Sequence, residues 1–102
     1  MKKGKLIVIE GTDCSGKETQ AKLLLERLKK DNISIEERAF PMYHTPTGKI
    51  IGASLLGKPT MGESVFGENA SRVNPKVAAL YYAADRLYNI DSIKELLNSG
   101  VN

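Results

Sequence analysis

Residues 6–9, LIVI, are a short unbroken apolar run rich in β-branched side chains, the pattern of a strand buried on both faces of a parallel sheet. A glycine-bearing turn follows at once. From Lys17 the period changes: Ala21, Leu24, Leu25 and Leu28 recur at helical spacing, and Lys29 and Lys30 occupy a last turn that suits cations. Residues 33–38, ISIEER, alternate weakly and predict a second strand, with AFPMYH as the loop after it. Thr45-Pro46 reads as a cap with Pro at the first helical position, and the helix carries Ile50, Ile51 and Leu55 until Gly57 and Pro59 end it. Residues 58–73 are rich in Gly, Ser and Asn and read as a surface loop. Asn74-Pro75 repeats the cap-and-proline signal. The helix it opens places Val77, Leu80, Tyr81, Ala84, Leu87 and Tyr88 on one stripe, expected to face the core. Asp91 then reads as the cap of one more helix, with Ile93, Leu96 and Leu97 buried and Gly100 as terminator.

Composition changes this picture little. A chain of 102 residues suits one domain, and 41% apolar with 26% charged residues is ordinary for a globular chain with a small core and too apolar for a disordered one. The net charge of +3 is spread through mixed Lys/Glu stretches and does not argue for nucleic acid or membrane binding, so neither is expected as a partner. The single cysteine, Cys14, excludes an internal disulfide and a zinc site of several thiolates within one chain. A reducing, cytoplasmic setting is the simplest reading. The N-terminal apolar run is far too short for a signal-peptide core, and none approaches the roughly 18 residues of a membrane span.

The chemistry lies in residues 10–20, EGTDCSGKETQ, between the first expected strand and the first helix. A phosphate loop works by converging backbone N–H groups on phosphate oxygens while a lysine adds a point charge. Gly11 permits the tight turn, Gly16 lets the backbone approach an anion, and Lys17 reaches the terminal phosphates. Strand, glycine turn and helix supply the required context. The usual pattern places a Ser or Thr hydroxyl for magnesium after the lysine; here Glu18 stands there and the hydroxyl comes one residue late, at Thr19. Cys14 and Ser15 serve through their backbone N–H groups, since nothing nearby would make Cys14 a nucleophile. A carboxylate inside such a loop repels the ligand, so Asp13 is either a turn residue facing outward or is used.

GTDCSGKETQ after a buried strand, FP beyond the first helix, TG at 47–48 and YYAADR on a long helix together resemble the thymidylate kinase family, in that order along nearly the whole chain. The resemblance implies an α/β P-loop nucleoside monophosphate kinase fold, a parallel sheet with flanking helices. It implies transfer of the terminal phosphoryl of ATP, with Mg2+, to thymidine monophosphate (dTMP), commonly in a homodimer. By motif, residues 11–19 would hold the ATP phosphates, with Lys17 and Asp13 in the reaction and Glu18 or Thr19 toward the metal. Asp13, Phe40, Pro41, Tyr43, Tyr82 and Arg86 would meet the monophosphate. Tyr82 and Arg86 are one helical turn apart, off the apolar stripe, and an aromatic face beside a guanidinium is what a thymine ring needs. Without the family context the same pair reads as a surface cation–π contact.

Three departures bear on the expectation. Glu18 replaces the hydroxyl. Met42 and Tyr43 stand where the family commonly carries an arginine for the monophosphate's phosphate. The resemblance covers only the N-terminal half of such a kinase, its central strand and arginine-bearing lid falling beyond Asn102, so the 102-residue chain is expected to be an incomplete, weakly active or inactive portion. Rival readings are a non-catalytic P-loop nucleotide-binding module and another nucleoside monophosphate kinase.

Overall fold

The computed structural model describes residues 2–67 and 72–102. Positions 68–71 of the expected 58–73 loop lie outside the described residues. The chain divides into two compact units, Met1–Glu37 with Ser92–Asn102, and Arg38–Asp91.

In the first unit, helix α1 (Lys17–Lys30) starts where the glycine turn predicts, with Gly16 as a left-handed N-cap. It ends in a left-handed Asn32, whose N–H donates to Lys29 O while Ile33 N–H donates to Leu28 O, so the reversal satisfies the last carbonyls. The final turn of helix α3 (Pro75–Asn98) closes the same way around Gly100. The two expected strands are not formed among the described residues. Segment 6–9 is irregular, and its apolar side chains are exposed, Leu6 by 59% and Val8 by 65%. A strand exists only through a neighbour that pairs along its length, and the pairing here comes from one residue. Glu36 N–H donates to Asn102 O at 2.8 Å and Asn102 N–H to Ser34 O at 3.0 Å, the parallel pattern about Ile35. The Asn102 side chain continues it, its Oδ1 accepting from Lys5 N–H and its Nδ2 donating to Ser34 O. Segments 4–5 and 34–36 thus share Asn102 without forming a ladder.

In the second unit, α2 (Pro46–Ile50) runs directly into a π-helical turn, Ile51–Leu55, in which Leu56 N–H reaches Ile51 O. Ile51 and Leu55 are buried with Met42, a core as small as the composition predicts. Helix α3 (Pro75–Asn98) is a single 24-residue helix. Its first turn carries the expected cap, Asn74 Oδ1 accepting from Lys76 N–H. The second cap expected at Asp91 does not occur, because Asp in a helix interior costs only about 0.7 kcal/mol or less and neither Gly nor Pro interrupts the run.

The face that α3 buries is also different from the expected one. Of the predicted stripe, Leu80 is 71% and Leu87 76% exposed, and Val77 and Tyr88 are exposed as well. The buried positions among the described residues are Asp85, Asn89 and, as expected, Ile93, with Tyr81 and Tyr82 half-buried. These polar groups hydrogen-bond to residues 42–47, and a buried polar group without partners is costly. Their hydrogen bonds, rather than the apolar stripe, select the inward face.

Gly48 sits against that same segment: a Cβ added there would lie 1.8 Å from Met42 O, a backbone atom. Helix propensity alone would make Gly48→Ala stabilising by about 1 kcal/mol. The contact predicts the opposite sign, a loss of about 1–3 kcal/mol by denaturant unfolding, and a stabilised variant would contradict the packing.

Candidate functional site

The phosphate-loop residues 11–19 are exposed throughout. Ser15 N–H donates to Thr12 O to close the turn, which places Cys14 at φ 60 and Gly16 at φ 86, both left-handed. Such a sequence of conformations turns successive N–H groups to one side, and the first N–H groups of α1 have no acceptor within the helix. Gly11 lies close beneath the loop: a Cβ there would stand 2.7 Å from Ser15 Oγ. Lys17 Nζ donates to Gly11 O at 2.7 Å. The ammonium is therefore held at the loop by a neutral carbonyl, for which a phosphate oxygen is the stronger acceptor.

Asp13, Glu18 and Thr19 are exposed, Glu18 and Thr19 both in the first turn of α1. Among the described residues no three His, Cys, Asp or Glu side chains gather as a metal cage. Magnesium does not need one, since it commonly takes one or two protein ligands together with substrate phosphates. Glu18 and Thr19 fit as such sparse donors.

The second unit carries the other expected residues. Phe40 and Pro41 are half-buried and joined by a cis peptide. Arg86 lies over Phe40, its Cζ 5.2 Å from the ring centroid, and its Nη1 donates to Tyr82 O at 3.4 Å. The structure thus brings Arg86 to Phe40, and its bond to Tyr82 goes to the backbone carbonyl one turn earlier on the same helix. The ring that Arg86 covers is Phe40, across the fold, and not Tyr82 on its own helix. Tyr43 is half-buried, with Lys58 Nζ 4.8 Å above its ring.

A family profile described as thymidylate kinase matches residues 9–102. The chain belongs to the thymidylate kinase family. It is 37% identical over 100 residues to the thymidylate kinase of Plasmodium falciparum (isolate 3D7), a match covering 98% of this chain and 42% of that relative. It is 38% identical to the thymidylate kinase of Schizosaccharomyces pombe over 97% of this chain and 41% of the relative. With the thymidylate kinase of Homo sapiens the identity is 33%, over 98% and 42%. The chain therefore spans about two fifths of the length of the curated relatives it matches. No helix among the described residues is long and apolar enough to cross a membrane.

Sequence reasoning missed Asp85, Thr47 and Asn89. The available signal was a carboxylate and an amide four apart, facing away from the apolar stripe of a long helix. It missed the left-handed Cys14 as well, because only glycine advertises that conformation.

Cys14 contributes through its backbone, so the thiol is replaceable and the φ is not. Cys14→Gly should unfold at a denaturant concentration near that of the parent, whereas the β-branched Cys14→Val should lose about 1–2 kcal/mol. Equal stability of the two variants would contradict the left-handed loop.

Proposed function

We propose that this chain carries the nucleotide-binding elements of an ATP:dTMP phosphotransferase. The observation that carries the reading is Arg86 lying over the Phe40 ring, one helical turn from Tyr82, in one unit, with the glycine turn of residues 11–16 opening α1 in the other. A planar ring beside a fixed guanidinium suits a thymine base, by stacking on one and a hydrogen bond to a carbonyl oxygen from the other. Residues 11–19 suit the ATP phosphates.

In the reaction, an oxygen of the monophosphate attacks the terminal phosphorus of ATP, the new P–O bond forms in line with the one to ADP that breaks, and thymidine diphosphate and ADP result. Little covalent chemistry is asked of the protein. Lys17 and the loop amides neutralise charge on the phosphates, Asp13 orients the acceptor nucleotide, and Tyr82 with Arg86 selects the base. Magnesium, when bound, neutralises charge on the phosphate oxygens, and Glu18 or Thr19 would hold it. The parallel pairing of Asn102 with residues 34–36 supports a parallel α/β sheet for the family domain. A cytoplasmic setting fits the single free thiol.

The curated relatives are more than twice as long, and the catalytic activity is proposed for the family domain. For residues 1–102 alone the expectation is binding with little or no turnover. Titration calorimetry checks it: Lys17→Ala should lose ATP and Arg86→Ala should lose dTMP, each by about tenfold or more, as expected for a charged hydrogen bond of about 1.5–3 kcal/mol. ATP binding with no response to the monophosphate, and a silent Arg86→Ala, would favour the non-catalytic module instead. Brisk phosphorylation of dTMP by the purified chain would overturn the binding-only expectation.

The exposed stripe of Val77, Leu80, Leu87 and Tyr88 supports a second copy as partner. If so, Leu80→Asp with Leu87→Asp should shift sedimentation to the monomer. An unchanged sedimentation coefficient would remove the stripe from any dimer interface.

A further inference from the structure

Asp85 has no exposed surface, and its carboxylate joins both ends of the segment 42–47, which directly follows Phe40-Pro41. Oδ2 accepts from Met42 N–H at 2.9 Å, and Oδ1 accepts from Thr47 Oγ1–H at 2.7 Å and from Asn89 Nδ2–H at 3.0 Å. The loop between is tied to the same place. Thr45 donates to Met42 O from both its N–H and its hydroxyl, and Asn89 Nδ2 donates to Thr45 Oγ1. Among the described residues, all donors to Asp85 are neutral. A buried carboxylate held without a cation is a costly way to join two elements, for which an apolar contact would serve as well or better.

What the carboxylate supplies is direction. Met42 is the residue after Phe40-Pro41, and Asp85 is the residue before Arg86. The hydrogen bond from Met42 to Asp85 therefore fixes the chain immediately beside both members of the Phe40–Arg86 stack, and the Thr47 bond prevents the segment from pivoting about that single point. A misplacement of about 1 Å in a site of this kind can cost on the order of a hundredfold. We propose that Asp85, with Thr47, is a positioning residue for the monophosphate site: it holds Phe40 in register with Arg86 so that the base meets both. This rests on the reading of Phe40, Tyr82 and Arg86 as the thymine-binding group.

The test compares dTMP and ATP affinities of the full chain by calorimetry for the parent, Arg86→Ala, Asp85→Asn, Thr47→Val and Thr47→Ser. Thr47→Val keeps the side-chain shape without the hydroxyl, which guards against a result from Asp85→Asn that reflects misfolding. The expected outcome is a loss of dTMP affinity of at least tenfold for Asp85→Asn and about fivefold for Thr47→Val. Thr47→Ser should restore binding, and ATP affinity should stay within twofold in every variant. Loss of both ligands in parallel would make Asp85 merely structural and overturn the proposal. So would dTMP binding within twofold of the parent in both Asp85→Asn and Thr47→Val while Arg86→Ala fails. A parent that binds ATP but takes up no dTMP would instead remove the base-site reading, and the positioning role with it.

Discussion

The arrangement of the 38–91 unit depends on one buried carboxylate. Removing Asp85 from water costs several kcal/mol unless its oxygens are satisfied, and the donors that satisfy them come from residues 42 and 47, far away in sequence, and from residue 89 one turn along. That requirement outweighs the hydrophobic preference of α3, whose leucines at 80 and 87 are left in solvent. The same requirement brings Met42 against the helix, buries it with Ile51 and Leu55, and leaves no space for a side chain at Gly48. Fold and site are coupled here because Phe40-Pro41 directly precedes the clamped Met42 and Arg86 directly follows Asp85.

The phosphate loop follows a different logic. In the proposed phosphate site the recognition groups are backbone amides beside left-handed residues at 14 and 16, so side-chain identity matters at few positions. Lys17 is one of them, since only a cation there adds charge to the helix N-terminus. Glu18 in place of a hydroxyl is compatible with a magnesium site that draws most of its ligands from phosphates and water. The loop could therefore depart from the usual pattern without losing its anion-binding geometry.

The helices were legible in the sequence where backbone chemistry marks them: Gly16 and Lys17 at the start of α1, Thr45-Pro46 before α2, Asn74 before α3, and Gly100 after it. Of the residues expected at a base site, Arg86 lies over Phe40, while its contact with Tyr82 is to that residue's backbone carbonyl. What could not be read was which face of α3 turns inward. Periodicity counts apolar residues, whereas the outcome was set by two polar ones whose partners lie about 40 residues away. The strands at 6–9 and 33–38 were read from their composition, but a strand is a relation between segments. Asn102 supplies the parallel pairing seen with residues 34–36.

The most direct test of the whole account is a pair of titrations of the isotopically labelled chain followed by amide resonances. The account predicts that dTMP moves the amides of Phe40, Met42, Tyr82 and Arg86, with the Asp85-bonded Met42 amide retaining slow hydrogen exchange, while ATP moves those of residues 11–19. Shifts from dTMP that bypass residues 40–42 and 82–86, or ATP shifts outside the loop alone, would contradict it.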